Sequence, residues 1–379
     1  MSIARSTRRR FIKTALGTAA IASLPPLVLA QQNAYRVATI AGTGVAGYEP
    51  EGSRGANAAN APINNPYGVV IGPDRALYFC EVDTGRTRRL NLETNRIRTY
   101  AGNGVSVFTG EAILANQTSF AAPHEIRFDE MGNLYIVERD GHAVRRVAAR
   151  TGFVSLVAGS GVAGFEGDGR SSIMAKLRQP HSIAFDADGN LLICDIGNQR
   201  LRSVSRETGV ISTLSGTGER LPTPDSAELT GTPLLGPRSI DTDTEGNAYL
   251  VLREGNAVFK LDIRGNRLER IAGTGEKGYS GDGGAALDAT FNGPKGIAYS
   301  RRDNSLYIVD TENHVIRKMS LASGMIETVL GNGERGDGPD GNPMTCKLNR
   351  PHGVFVDSDI VYVTDSENHR IRAITRIRV

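Results

Sequence analysis

The amino-acid sequence predicts an all-β fold, a six-bladed β-propeller that occupies residues 31–379 as one closed domain. A proline followed by a large polar residue recurs at a constant spacing of 57 residues, and a fixed period of this length is typical of repeat architectures. Each repeat also contains four short segments rich in β-branched and aromatic residues, separated by Gly, Asn and Asp. The six pairs, which number the blades below, are Pro66-Tyr67, Pro123-His124, Pro180-His181, Pro237-Arg238, Pro294-Lys295 and Pro351-His352.

The fifth repeat shows the four antiparallel strands predicted for a blade. They are Gly296 to Tyr299, Leu306 to Val309, Val315 to Met319 and Met325 to Val329, with turn residues between them. A Gly-x-Gly turn ends each repeat, and a glycine-rich segment, called the connecting loop below, leads to the next proline. Four strands in each of six repeats predict six four-stranded blades, and no segment of the mature chain has the pattern of a long helix.

The two ends of the domain predict that the ring closes. The sixth repeat stops after its third strand, at residues 371–379, whereas Arg36 to Ile40 matches the fourth strand of the other repeats. These segments should therefore pair within one blade, because pairing removes the exposed edges that a linear array would leave.

Residues 1–30 have the pattern of a signal peptide for twin-arginine export. Thr7 to Lys13 matches the twin-arginine motif, an apolar stretch runs from Ala15 to Leu29, and Ala30 ends a cleavage pattern. Two prolines, Pro25 and Pro26, near the end of so short a stretch argue against a membrane anchor. We therefore expect a periplasmic or secreted protein with no stable membrane anchor after cleavage.

The charge argues against a nucleic-acid-binding protein, and the cysteines argue against a protein stabilised by disulfides. The signal holds five basic residues and no acidic ones, so the formal net charge of +3 becomes −2 in the mature chain, which is not the charge of a nucleic-acid-binding protein. Cys80 and Cys194 occupy one repeat position that is otherwise mostly valine, and Cys346 occupies a position that is alanine elsewhere. We expect the three thiols to be buried and to form no disulfide framework. We also expect the protein to be a monomer.

The strings Asp310 to Arg317, Asp365 to Arg372 and Asp195 to Arg202 resemble the signature of the NHL repeat family. The resemblance extends over essentially all of residues 35–379 and implies a propeller, most often one that binds partners. Blade 4 departs from the signature, because Leu252 and Phe259 replace its acid and its arginine.

Three recurring polar features of the repeat are predicted to be structural. An acid at the end of strand two precedes an arginine by seven residues in five blades, which favours an ion pair within each blade. The Asn-His step places His142, His314 and His369 where a side chain can fix the turn before strand three. Asp168, Asp282 and Asp337 lie in Gly-Asp-Gly loops, which favours turn chemistry, with calcium binding as the alternative.

The residues after the six prolines are the candidate functional residues. Tyr67, His124, His181, Arg238, Lys295 and His352 share one repeat position at the start of the innermost strand, so they should converge on the axis of the ring. The histidines could hold a metal through their imidazole nitrogens, or they could only hydrogen-bond water or a ligand.

The strings that begin at Pro123, Pro180 and Pro351 resemble the Pro-His-x-aliphatic strings of peptidyl-α-hydroxyglycine amidating lyases, a related six-bladed family. The resemblance implies that His124, His181 and His352 ligate a divalent metal, zinc in the first place, with copper or iron as alternatives. Here these histidines belong to blades 2, 3 and 6, whereas the lyase takes its ligands from alternating blades.

Two function classes follow from these residues. The first is a metal-dependent lyase or hydrolase for a small anionic substrate, in which Arg238 and Lys295 hold the anion. Tyr67 would be its general acid or base, and Glu125 would be a base or would support a histidine ligand. The alternative is a non-catalytic propeller that binds a protein or peptide partner on the face where the connecting loops lie.

Overall fold

The computed structural model describes residues 35–109 and 113–376. The predicted export signal at residues 1–30 lies outside the described residues, as do residues 377–379 of the predicted closing segment. Within the described ranges, no helix is long and apolar enough to cross a membrane.

Six antiparallel sheets form the six predicted blades. Blade 1 consists of β2 (Ala56–Asn57), β3 (Pro66–Ile71), β4 (Leu77–Glu81), β5 (Arg86–Asn91) and β6 (Arg96–Ala101). Blade 2 consists of β7 (Pro123–Phe128), β8 (Leu134–Glu138), β9 (Ala143–Val147) and β10 (Val154–Ala158). Blade 3 consists of β11 (Arg170–Ser171), β12 (Ile183–Phe185), β13 (Leu191–Asp195), β14 (Arg200–Val204) and β15 (Val210–Ser215).

The second half of the ring repeats this order. Blade 4 consists of β16 (Ser226–Glu228), β17 (Pro237–Thr242), β18 (Asn247–Leu252), β19 (Ala257–Asp262) and β20 (Arg267–Ala272). Blade 5 consists of β21 (Gly284–Ala285), β22 (Gly296–Ser300), β23 (Ser305–Asp310), β24 (Val315–Ser320) and β25 (Met325–Leu330). Blade 6 consists of β1 (Tyr35–Ala41), β26 (Val354–Asp357), β27 (Ile360–Asp365) and β28 (Arg370–Arg376).

The predicted all-β six-bladed propeller is confirmed, with one addition. In four blades the connecting loop adds a short fifth strand at the outer edge, namely β2, β11, β16 and β21. The helical elements among the described residues are single 3₁₀ turns: Ala115–Gln117, Ser172–Met174, Ile196–Asn198, Ala286–Asp288, Thr311–Asn313 and Ser366–Asn368.

The predicted closure of the ring is also confirmed. Strand β1 pairs with β28 from Tyr35↔Arg376 to Ala41↔Ile371, so the N-terminal strand becomes the outer strand of the last blade. Because β1 covers the outer edge of β28, the first and last described segments complete a single blade.

The blades pack through apolar side chains and hold buried ion pairs. Cys80, Cys194 and Cys346 are buried and unbridged, as predicted. The predicted acid–arginine pairs are confirmed, with separations such as 2.9 Å for Glu81–Arg88 and 3.1 Å for Asp365–Arg372. In blade 4 the same two positions hold Leu252 and Phe259, both buried, so an apolar pair can replace the ionic one.

The Gly-Asp-Gly loops do more than form turns. Asp168, Asp282 and Asp337 each pair with the buried arginine of a blade, at 2.5 Å from Arg202, 2.8 Å from Arg317 and 2.5 Å from Arg372 respectively. These carboxylates tie three connecting loops to the blade interiors, and calcium binding by these loops stays an alternative prediction.

Candidate functional site

The residue before each of the six prolines sets the position of the site. Its φ is positive in every blade: 46° at Asn65, 52° at Ala122, 48° at Gln179, 76° at Gly236, 56° at Gly293 and 45° at Arg350. This left-handed residue and the fixed φ of the following proline turn the chain into the innermost strand in the same way each time.

Hydrogen bonds between blades hold these turns. The N–H groups of Gln179, Arg350 and Asn65 donate to the Nδ1 atoms of His142, His314 and His369, which belong to the preceding blade, over 3.0–3.1 Å. The structural role predicted for these three histidines is therefore confirmed. Side-chain oxygens of Gln199, Asn256 and Ser106 accept the corresponding N–H groups of Gly236, Gly293 and Ala122.

The six predicted residues come together at the start of the innermost strands, and we call them the channel ring. Tyr67 stacks on His352 with a centroid distance of 3.9 Å and meets His124 edge-on at 4.7 Å. The imidazoles of His124 and His181 lie 4.3 Å apart. All members except the partly exposed Tyr67 are buried, so the ring is a cluster of polar side chains with little exposure to solvent.

Backbone carbonyls fix the protonation of the three ring histidines. The Nδ1 atom lies 3.1 Å from the carbonyl of His181 in His124, 2.7 Å from Gln179 O in His181, and 2.9 Å from Arg350 O in His352. Because a carbonyl only accepts, Nδ1 carries the proton and Nε2 has the free lone pair. Burial and the nearby cations lower the pKa of each imidazole well below its ordinary value, so all three are neutral at pH 7.

Two cations occupy the same ring. Nη2 of Arg238 donates to Nε2 of His124 over 3.1 Å, and Nζ of Lys295 lies 3.5 Å from Nε2 of His352. Burial lowers the pKa of Arg238 to about 10 and that of Lys295 to about 8. Both values lie above 7, so the ring carries two positive charges at neutral pH.

The two cations differ in their counter-charges. Nζ of Lys295 is 2.8 Å from Oε1 of Glu312. Arg238 is 4% exposed, its Nε atom has no hydrogen-bond partner, and it forms no ion pair with any residue that the structure describes. A buried guanidinium without an acid is costly, because the desolvation of its charge is not offset.

The ring as it stands does not fit a metal ion held by the three histidines. Arg238 and Lys295 face the Nε2 atoms of His124 and His352, where a metal would bind, and their charges would repel it. Across residues 35–109 and 113–376, no group of three or more His, Cys, Asp or Glu side chains is placed to hold a metal. Metal binding by His124, His181 and His352 is a prediction from the sequence that this arrangement does not support, and we derive no chemical step through it.

Glu125 is the one predicted site residue that lies outside the ring. Its Oε1 atom accepts from Nη1 of Arg127 over 2.7 Å, and its side chain fills the space left by the missing side chain of Gly68. Burial raises the pKa of the Glu125 carboxyl, and Arg127 partly offsets that effect. The Glu125 carboxylate is thus held by Arg127 and not by a member of the ring.

An ion-pair network beside the ring was not predicted. Glu312 bonds both Lys295 and Arg350, and Arg350 in turn lies 2.6 Å from Oε1 of Glu367. The two acids occupy the same place in the Asp-x-Glu-Asn-His strings of blades 5 and 6, which was the available sequence signal. The arginine and lysine hold the pKa of Glu312 at about 2, so it stays ionised and keeps Lys295 in place.

Comparisons with known proteins identify the family. The family model described as the Teneurin NHL domain matches residues 92–205 and 262–349, and the NHL repeat model matches residues 348–374. The first model covers more than half of the chain, and the chain therefore belongs to this family of NHL-repeat propellers.

Curated relatives match over part of their length. NHL repeat-containing protein 2 of Gallus gallus is 24% identical over 343 residues, which cover 81% of this chain and 46% of that protein. SUPPRESSOR OF QUENCHING 1 of Arabidopsis thaliana is 32% identical over 157 residues, which cover 40% of this chain and 15% of that protein. The chain thus spans less than half of either relative.

Solved structures share the fold at low identity. An auxiliary nutrient binding protein from Bacteroides ovatus has a TM-score of 0.65 at 15% identity, over 91% of this chain and 78% of its own. A virginiamycin B lyase from Staphylococcus aureus has a TM-score of 0.52 at 14% identity, over 83% of this chain and 95% of its own. At such identities the likeness shows the propeller fold alone.

Proposed function

We propose that this NHL propeller binds a small anionic molecule at the channel ring and acts on it by acid–base catalysis, as a lyase or hydrolase. The observation that carries the proposal is Arg238, a buried guanidinium whose Nε atom is unpartnered and which forms no ion pair with any acid in residues 35–109 and 113–376. An anionic ligand would supply both the missing charge and the missing acceptor.

We propose a distinct role for each cation. Lys295 is already neutralised by Glu312, so Arg238 is the group that gains most from a bound carboxylate or similar anion. Lys295 adds a second donor on the adjacent blade. The ligand would therefore lie with its charged end against Arg238 and its remaining atoms toward the aromatic side of the ring.

The aromatic side of the ring offers an acid and a base. His181 uses Nδ1 for Gln179 O, which leaves the Nε2 lone pair free to accept a proton. Burial raises the pKa of Tyr67, so its hydroxyl is protonated at neutral pH and can donate to a leaving group or an oxyanion. We assign His181 as the general base and Tyr67 as the proton donor.

We also propose that the mature protein acts in the periplasm or outside the cell, because residues 1–30 have the twin-arginine pattern. Fractionation of cells that produce the full chain tests this proposal. Replacing Arg8 and Arg9 by lysine should retain the protein in the cytoplasm, and unchanged export in that variant would contradict the proposal.

Calorimetric titration with acetate, phosphate and citrate in a low-salt buffer tests the binding function. The wild type should bind at least one of these anions, Arg238→Met should bind it at least tenfold more weakly, and Arg264→Met should behave like the wild type. Arg264 is a suitable control because its guanidinium is exposed and pairs with the exposed carboxylate of Asp188, 2.9 Å away. Equal binding by all three proteins, or none by the wild type, would favour the non-catalytic alternative, a propeller that binds a protein or peptide partner.

A further inference from the structure

A groove between blades 2 and 3 lies away from the channel ring. Its volume is about 450 Å³, and its walls include Phe128, Tyr135, Arg146 and Phe185. Phe128 ends the strand in which His124 is the second residue, so at about 3.3 Å per residue this wall of the groove lies roughly 13 Å from the ring along that strand. A cavity of this size is within the range of small-molecule sites.

The other blades allow the burial of Tyr135 to be compared with that of the equivalent tyrosines. The tyrosine equivalent to Tyr135 is buried in four other blades, with exposures of 4% at Tyr78, 2% at Tyr249, 6% at Tyr307 and 3% at Tyr362. Tyr135 is partly exposed, although Phe185 meets it edge-on at 5.0 Å.

Blade 1 shows how an aromatic side chain can occupy the equivalent space. There Tyr100 and Phe128 both pack edge-on against Tyr78, with centroid distances of 5.1 and 5.0 Å. The residue that corresponds to Tyr100 one repeat later is Val157, which also lines the groove. Blades 4, 5 and 6 also have aliphatic residues at this position, namely Ile271, Val329 and Ile40, but bury their tyrosines, so blade 2 differs from them in leaving open space against the ring of Tyr135.

A basic side chain in the groove has also lost its partner. In blade 1, Arg89 lies opposite Tyr78 and pairs with Asp74 at 2.6 Å, and in blade 5 Lys318 pairs with Asp303 at 2.7 Å. Arg146 lies opposite Tyr135 in the same register, but the position of Asp74 is Met131, which is 76% exposed. Nε of Arg146 has no hydrogen-bond partner, and Arg146 forms no ion pair within the described part of the chain.

The acids in the groove have other partners. Asp129 accepts from the N–H groups of Met131 and Asn133, and Asp186 accepts from those of Asp188 and Asn190. Glu130 pairs with Arg206 at the surface, with 3.6 Å between their charged atoms. Asp129 and Asp186 accept from uncharged N–H groups and keep their charges, and Arg146 is the cation among the described lining residues that has no acid within ion-pair distance.

We propose that this groove binds a planar aromatic molecule that carries an acidic group. The aromatic ring takes the place that Tyr100 has in blade 1 and packs against Tyr135 and Phe185. The acidic group takes the place of the Asp74 carboxylate and pairs with Arg146. This second site is independent of the channel ring.

Two variants that copy blade 1 into blade 2 test the proposal with 1-naphthoate as the probe. Val157→Tyr fills the aromatic space, and Met131→Asp restores the ion pair. In calorimetric titrations the wild type should bind 1-naphthoate, and each variant should bind it at least tenfold more weakly. Because Met131 is exposed, Met131→Asp should fold like the wild type, and it therefore tests the proposal even if Val157→Tyr folds poorly.

Two further titrations separate this site from others. The neutral analogue 1-naphthylmethanol should bind the wild type at least tenfold more weakly than 1-naphthoate, and Arg238→Met should bind 1-naphthoate as the wild type does. Equal affinity of wild type and both groove variants, or the absence of binding at millimolar 1-naphthoate, would overturn the proposal. Loss of 1-naphthoate binding in Arg238→Met alone would overturn it too, because the probe would then occupy the ring.

Discussion

Replacing Arg238 by methionine should stabilise the ligand-free protein while it abolishes anion binding. Burial lowers the pKa of Arg238 from 12.5 to about 10. One pKa unit corresponds to about 1.4 kcal/mol, so the buried charge costs about 3 kcal/mol of folding free energy. The variant also loses the hydrogen bond to His124, worth about 1 kcal/mol. We therefore expect a net gain of about 1–2 kcal/mol in the free energy of unfolding.

The pH dependence of this stability difference follows from the pKa of Arg238 in the unfolded protein and its lower pKa in the folded protein. Below pH 10 the guanidinium is protonated in both the folded and the unfolded protein, so the full cost is present at every pH from 5 to 9. The difference between wild type and Arg238→Met should therefore be constant over that range. Above pH 10 the folded protein loses the proton first, and the difference should shrink.

Urea denaturation in a low-salt buffer, followed by circular dichroism, measures the difference. A saturating anion at 100 times its dissociation constant should stabilise the wild type by about 2.7 kcal/mol and leave the variant unchanged. A variant that is less stable than the ligand-free wild type by more than about 1 kcal/mol would refute the reasoning, since Arg238 would then have a partner that stabilises the fold. Arg264→Met should change stability by no more than about 0.5 kcal/mol.

Three other predictions address the ring and the blades. Burial lowers the pKa of Lys295 from 10.5 to about 8. The charged lysine therefore destabilises the folded protein below pH 8, and this cost is relieved as the pH rises to 10.5. In urea titrations the stability of the wild type relative to Lys295→Met should rise by about 3 kcal/mol between these pH values. Asp310→Asn leaves the buried Arg317 without its acid inside the blade and should cost about 3 kcal/mol. The double variant Asp310→Leu/Arg317→Phe, which copies blade 4, should cost less, and equal losses in thermal unfolding would contradict this account of the pairs. Once a substrate is found, His181→Ala should lower kcat at least 100-fold with an unchanged circular dichroism spectrum, whereas retained activity would remove His181 as the base.

The fold could be predicted because the signal is repeated six times. The 57-residue step and the match of residues 36–40 to a fourth strand fixed the blade number and the closure. The short edge strands were missed, since two or three residues such as Ala56–Asn57 leave no alternation to detect. In blades 1, 3 and 5 the connecting loop is also tied to the blade interior by an ion pair, such as Asp168–Arg202.

The positions of the six ring residues could be predicted from the sequence, but the directions and hydrogen-bond partners of their side chains could not. An equal step brings six side chains to equivalent places, and hydrogen bonds between blades keep them there. The choice of hydrogen-bond partner depends on distances across the ring, which no periodicity encodes. Arg238 from blade 4 reaches His124 in blade 2, and Glu125 turns to Arg127 instead of the ring.

The most direct test of the account is the position of a bound anion. Crystals soaked in bromide and measured at the bromine absorption edge should show an anomalous peak within about 3.5 Å of the Arg238 guanidinium, on the side of its unpartnered Nε atom. A second data set at the zinc edge, from protein purified without a His tag, should show no peak in the ring. A zinc peak at the Nε2 atoms of His124, His181 and His352, with no bromide beside Arg238, would contradict the account.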